Sequence, residues 1–202
     1  MERAMQTGKL RIETVTGSAL LPHLAAVSRL RATVFREWPY LYDADEPGEA
    51  GYMRHYAEDP DAAVVLAFDG ERVVGASTCQ PMARSHPEVR EAFAARGLDV
   101  ARFCYFGESL LERAHRGQGA GVAFFTEREA HARRLGLAQA AFCAVVRNPN
   151  DPRKPADYVP LDGFWRNRGY AHHPDLACCF HWREVGDEPE TPHLLSFWVK
   201  TL

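Results

Sequence analysis

ERAHRGQGAGVAFF, residues 112–125, sets Gly117, Gly119 and Gly121 two apart and then runs into apolar residues. Glycine inside a helix costs about 1 kcal/mol relative to alanine, so three of them where a helical pattern begins need another reason. A helix that follows a strand presents unpaired backbone N–H groups and a partial positive charge at its N-terminus, and such an end receives phosphate. Glycine leaves room for an anion to reach those N–H groups and permits φ > 0. Residues 116–121 therefore read as a pyrophosphate cradle with the cation Arg116 beside it. The competing reading is a tight strand–helix packing turn with no ligand.

Working outward, ARFCYFGESLLE (101–112) reads as an apolar, aromatic strand and VAFFTEREAHARRLG (122–136) as a helix. Arg133 and Arg134 fall in that helix's last turn, where cations are favoured, and Gly136 ends it. AQAAFCAVVR (138–147) is nearly continuous in apolar residues, the pattern of a buried strand. This strand–helix–strand unit predicts a crossover between parallel neighbours. Upstream, KLRIETV (9–15) alternates as a strand and ALLPHLAAVSRLRATVFREW (19–38) carries helical spacing. A short helix is predicted over 50–58, and AAVVLAFDGERVVGASTCQPM (62–82) reads as a hairpin about Asp69-Gly70. HPEVREAFAARGL (86–98) is a short helix capped at Gly97. Downstream, a proline-rich loop (148–160) leads to a short helix over 161–170, with Asp162 as its candidate cap, and to strands over 176–185 and 193–202. The order predicts an α/β chain, a mixed sheet with helices on both faces, in a single domain over 1–202.

Composition narrows the function. Hydrophobic residues at 46% and charged residues at 25% suit a globular domain with a sizeable core. A net charge of -3 gives no electrostatic footprint for nucleic acid. No apolar run approaches the roughly 20 residues that span a bilayer, and MERAMQTGKLRIE lacks the layout of a signal peptide. The five cysteines (79, 104, 143, 178, 179) suggest no disulfide framework. A cytoplasmic protein with reduced, core-like thiols, acting neither on nucleic acid nor in a membrane, is the expectation.

Two familiar phosphate loops fail on the residues. A P-loop requires Gly-x-x-x-x-Gly-Lys-Ser/Thr, and no lysine follows these glycines. A dinucleotide fingerprint requires Gly-x-Gly-x-x-Gly, which GQGAGV does not supply. The stretch does resemble the acyl-CoA motif of the GNAT N-acetyltransferases, Arg/Gln-x-x-Gly-x-Gly/Ala, which Arg116, Gly119 and Gly121 fill. FWRNRGY (164–170) is similar to that family's C-terminal helix, and the resemblance spans roughly 9–200.

The resemblance implies a GNAT fold: a mostly antiparallel mixed sheet in which the strand before the glycines splays from its parallel neighbour. It implies acetyl-CoA as cosubstrate, entering that gap. Backbone groups of Leu110 and Leu111 would meet the pantetheine amides, with Asn148 as a further contact. Backbone N–H groups of Arg116, Gly117, Gln118, Gly119, Ala120, Gly121 and Val122 would hold the pyrophosphate, with His115 adjacent. The implied reaction is direct transfer of the acyl group to a primary amine of a small molecule or peptide, without a metal. A homodimer is a further expectation. The alternative is a protein that binds or senses acyl-CoA without turnover.

An amine must lose a proton before it attacks, and the departing thiolate benefits from an acid. Glu108, inside the otherwise apolar strand beside the gap, is the candidate base, acting directly or through water. The alternative is a glutamate that faces solvent or pairs with an arginine. The family's usual acid, a tyrosine four residues before the glycine of the Gly-aromatic pair, is here Trp165. Tyr158 on the proline-rich loop is the candidate replacement. Trp38, Tyr40 and Tyr42, with Asp43, Asp45 and Glu46 close by, read as a cation-favouring acceptor site or as a core anchor under a solvated acidic loop. Residues 83–100 add a helix where the family often has a short turn. HHPDLACCFHW (172–182) lacks metal-ligand spacing, and Cys178 and Cys179, adjacent in a strand, face opposite sides.

Overall fold

The computed structural model describes residues 5–7, 10–44 and 46–202, the side chains of 5–7 and 46–50 excepted. The chain runs β1 (Met5–Thr7), β2 (Leu10–Val15), α1 (Leu24–Val34), α2 (Glu46–Glu58), β3 (Ala63–Asp69), β4 (Arg72–Pro81), α3 (Pro87–Ala94) and β5 (Phe103–Leu111). It continues with α4 (Ala120–Arg134), β6 (Gln139–Val145), α5 (Asp162–Arg166), β7 (Ala171–Arg183) and β8 (Glu190–Thr201). The strands form one eight-stranded sheet in the order β1-β2-β3-β4-β5-β6-β8-β7. Every pairing is antiparallel except β5 with β6.

β3 explains the layering. Its residues Ala63–Phe68 are all buried, because alternate side chains meet helices on opposite faces. Val64, Leu66 and Phe68 join Val27 and Leu30 of α1 and Met53 and Tyr56 of α2. Val65 and Ala67 join Ala120, Ala123 and Phe124 of α4. Further along the sheet, Val89 and Phe93 of α3 pack on Phe103, Tyr105 and Phe197. Phe125 of α4 packs instead with Phe106, Phe142, Tyr170 and Trp198.

Several element bounds differ from expectation. β1 pairs with β2 as a hairpin that the sequence did not signal. Residues 17–23, with Pro22 inside, form a 3-10 helix, so α1 begins only at Leu24. The β3–β4 turn is Gly70-Glu71, since Asp69 pairs with Arg72, and a bulge at Ala67/Phe68 shifts it by one. Leu161, not Asp162, occupies the N-cap of α5. β7 begins at Ala171 and carries Pro174 inside a register shift; as the outer strand of the sheet it tolerates the missing donor.

One irregularity positions everything that follows. Along the β4–β5 ladder, Ser77 pairs Ser109 and Cys79 pairs Phe106, so β5 carries one extra residue opposite Thr78. This is a β-bulge at Gly107–Glu108. The Glu108 N–H donates to Thr78 Oγ1 at 3.0 Å, and the Thr78 hydroxyl donates to Tyr56 Oη at 3.1 Å. The Glu108 carbonyl accepts from Arg128 Nη1 of α4 at 3.1 Å. Side chains thus satisfy both main-chain groups of Glu108. Arg128 is 1% exposed and lies over Phe106 and Phe125 at 4.4 and 4.8 Å. The parallel pairing of β5 with β6 covers only Phe103–Tyr105 against Gln139–Ala141; beyond it the strands part.

Glycine is required at the bulge because a Cβ on Gly107 would lie 2.6 Å from Tyr56 Oη and 2.7 Å from Thr78 Oγ1. Gly107→Ala is expected to lower the unfolding free energy by about 1–3 kcal/mol through overpacking. Urea unfolding at equilibrium measures it; an unchanged midpoint would show that the bulge accommodates a methyl group.

Candidate active site

The opening between β5 and β6 has the α4 N-terminus at its mouth. Gly117 and Gly119 adopt left-handed backbone, with φ of 76° and 90°, and Gly119 is the N-cap of α4. The N–H groups of Val122 and Ala123 close on the Gly119 carbonyl at 3.0 and 3.1 Å. Among the described residues, the N–H groups of 117–121 make no turn or cap hydrogen bond, so this stretch is a set of open donors at a helix N-terminus. Gly121 answers to packing, since a Cβ there would lie 3.2 Å from the Phe164 ring of α5. Ala120 is buried, whereas Gln118 and Val122 are exposed.

The side chains around this loop turn elsewhere. Arg116 Nε donates to the Leu111 carbonyl at 3.1 Å, and its Nη2 pairs with Glu37 at 3.0 Å. His115 lies between Asp69 at 3.3 Å and Glu112 at 3.5 Å. Both side chains are thus engaged with Leu111, Glu37, Asp69 and Glu112.

The ladder settles which β5 groups face the opening. Glu112 N–H bonds to the Val74 carbonyl, and hydrogen-bonded pairs alternate in an antiparallel ladder. With Ala76 opposite Leu110 and Gly75 opposite Leu111, the main-chain groups of Leu110 bond to β4. Those of Ser109 and Leu111 point toward β6. The main-chain groups of Leu110, expected at the gap, are thereby turned to β4, and those of Ser109 face the gap.

On the α1 face of the sheet, beside Glu108, is a cavity of about 270 Å³. Tyr40, Tyr42, Tyr52, Tyr105, Phe180 and Trp182 are among the rings that line it, with Glu108, Arg31, His86 and Cys143. Glu108 is 7% exposed. One carboxylate oxygen, Oε1, is ion-paired with Arg31, and the other, Oε2, is buried without a hydrogen-bond partner. Arg31 in turn lies 3.9 Å over the Tyr52 ring. His86 Nε2 is 3.3 Å from Tyr52 Oη, with the two rings stacked 8° from parallel. Burial first, then His55, push the His86 imidazole below its usual value, so it is neutral at neutral pH.

The loop that carries the expected aromatic residues is clamped to β7. The Tyr40 carbonyl accepts from Arg147 Nη2 at 2.7 Å and from Trp182 Nε1 at 3.1 Å. Asp43 N–H bonds to the Arg183 carbonyl, and Val185 N–H to that of Leu41. Glu184, 4% exposed, ion-pairs with both Arg147 and Arg153. Burial raises the Glu184 carboxyl, but the two arginine hydrogen bonds outweigh it and hold it below the usual range. Tyr40 and Tyr42 line the cavity, whereas Trp38 lies outside it, edge-on to Tyr158 at 6.2 Å. Asp43 pairs with Arg36 at 2.5 Å and Arg183 at 3.2 Å. Asp45 lies outside the described residues, as does the side chain of Glu46.

The sequence profile of the Acetyltransferase (GNAT) family matches residues 27–155. The chain belongs to the GNAT acetyltransferase family. No curated protein matches it in sequence. Solved structures share its fold. The Salmonella typhimurium protein yncA, solved with its cofactor acetyl-CoA, is 14% identical with a TM-score of 0.60, the match covering 96% of this chain and 94% of that one. An acetyltransferase from Thermus thermophilus is 18% identical, TM-score 0.56, over 98% and 100% of the two chains. The PaiA N-acetyltransferase of Thermoplasma acidophilum, in complex with coenzyme A, is 11% identical, TM-score 0.54, over 95% and 99%.

Against other GNAT chains as the sequence resemblance framed them, the departures are now placed. Trp165 packs on Phe142 and Trp198, each at 5.1 Å between centroids, as part of the core. Tyr158 is half-buried on its loop; burial, then Asp162, raise its hydroxyl, so it holds its proton at neutral pH. Asn148 is exposed just past the end of β6, its Oδ1 accepting from Asn150 N–H at 2.9 Å. Cys178 is buried and Cys179 exposed, on opposite faces of β7, and the described residues contain no cluster of metal ligands. No described helix is long and apolar enough to cross a membrane. Arg31, Tyr52, His86, Tyr105, Phe180 and Trp182 went unread in the sequence. Only the His86-Pro87 start of the added helix was a visible signal, and it says nothing of where that ring points.

Because the folded Glu184 carboxyl lies below its ordinary value of 4.5, its contribution to stability is complete above that pH. It is lost as pH falls through the lower, folded value. Glu184→Gln is expected to cost roughly 1–3 kcal/mol at pH 7 by leaving the part-buried Arg147 without a carboxylate partner. The gap from wild type should narrow toward pH 3. Urea midpoints at the two pH values check this, and a gap that does not narrow contradicts it.

Proposed function

We propose that this protein transfers an acetyl group from acetyl-CoA to the primary amine of a small molecule or peptide by direct attack. The observation that carries the reading is the donor-rich α4 N-terminus at the mouth of the β5–β6 opening. The left-handed Gly117 and Gly119 leave the N–H groups of 117–121 free for a pyrophosphate. Ser109 offers its strand N–H and C=O, and Leu111 its N–H, to a pantetheine arm, with Asn148 across the gap. When bound there, acetyl-CoA supplies an activated thioester.

The chain's own groups then divide the work. A strand N–H at Ser109 or Leu111 polarises the acyl carbonyl. Glu108 Oε2, buried and without a protein partner, receives the acceptor's ammonium and takes its proton directly or through water. Neutral His86 is a second proton acceptor in the same cavity. Tyr158, protonated at neutral pH, is the proton donor proposed for the departing thiolate. Tyr40 and Tyr42 wall the acceptor, while Trp38 backs Tyr158.

A second reading, acyl-CoA binding without turnover, draws on Trp165 in the core and on Arg31 holding one oxygen of Glu108. Calorimetric titration with acetyl-CoA should show micromolar binding in wild type and none in Gly119→Glu, which puts bulk and negative charge among the free donors. Absence of binding in wild type would remove the basis of both readings. Glu108→Gln should bind acetyl-CoA like wild type and lose about 100-fold or more in kcat by thiol release. Binding without turnover in wild type, across a broad amine panel, would favour the non-catalytic reading.

A further inference from the structure

The cavity also limits what the acceptor is. We infer that the acceptor is a small amine carrying an aromatic or similarly flat apolar group; this rests on the transferase reading above and goes on to name its substrate class.

The first observation is the chemistry of the wall. Tyr42, Tyr52, Tyr105, Phe180 and Trp182 arrive from the α1–α2 loop, α2, β5 and β7, and face one space of about 270 Å³. Aromatic rings gather another ring edge-on or offset, and its apolar area leaves water as it enters.

The second observation is the balance of charge. Glu108 is the acid that lines the cavity among the described residues; its Oε1 is ion-paired with Arg31 and its Oε2 is buried without a hydrogen-bond partner. His86 is neutral and adds no charge of either sign. The ammonium of the acceptor is received at Glu108, and the apolar remainder of the molecule meets the rings.

The experiment is a thiol-release assay on the wild-type protein with acetyl-CoA and four acceptors: 2-phenylethylamine, ethylamine, spermidine and a short alanine-rich peptide with a free N-terminus. Calorimetric titration of acetyl-CoA is run first on the same preparation. The expected result is a kcat/KM for 2-phenylethylamine about 10- to 100-fold above that for ethylamine, with spermidine and the peptide below it. Binding of acetyl-CoA with ethylamine, spermidine or the peptide used as well as 2-phenylethylamine overturns the inference and leaves the transferase reading standing. Failure of acetyl-CoA to bind overturns both.

Discussion

A single extra residue in β5 sets the geometry of the site. Without the bulge at Gly107–Glu108, side chains would alternate unbroken along the strand, and Glu108 would share the α4 face with Cys104 and Phe106. The bulge reverses that parity, so Glu108 meets Arg31 on the α1 face and Leu111 packs on the α4 face. It also removes the Glu108 main chain from strand pairing. Thr78 and Arg128 take over its N–H and C=O. The pairing of β5 with β6 ends at Tyr105, just before the bulge, so the opening and the buried carboxylate adjoin on one strand.

Around this point the fold closes a pocket with parts far apart in sequence. The loop after α1 is held against β7 by Arg147, which donates to the Pro39 and Tyr40 carbonyls and is itself ion-paired with Glu184. The segment between β4 and β5, an addition relative to the short turn common in the family, contributes His86 and packs α3 beneath the splayed strands through Phe93 and Phe103. Tyr52 of α2 completes that side. The pocket is walled mainly by aromatic rings, with Glu108, Arg31, His86, His181 and Cys143 as its other polar lining.

The sequence was most legible where backbone conformation constrains residue type. Gly117 and Gly119 stand at φ values that other residues resist, and the helix after them was readable two residues from its true start. The apolar runs of β3, β5 and β6 announced strands, and that of β6 a buried one. The site was less legible. Glu108 could be named as an acid in an apolar strand, but its pairing with Arg31 depends on α1 crossing that strand. Leu110 and Leu111 look alike as letters, and only the ladder distinguishes which one turns its amide to the gap. Trp38, Tyr40 and Tyr42 read as one aromatic group, yet Trp38 lies apart from the other two.

By itself the sequence determined the local matters: the periodicities that make a mixed sheet with helices on both faces, the glycines that free a helix N-terminus, and through them the resemblance to acyl-CoA transferases. Such signals are local because they arise from a residue's own φ, ψ and hydrophobic period. Tertiary structure alone decided the register of β4 against β5, the parity of Glu108, and the convergence of Arg31, Tyr52, His86, Phe180 and Trp182 on one cavity. Those depend on contacts between segments up to some 150 residues apart, and side-chain direction at long range is set by packing and ladder pairing, which no local pattern encodes.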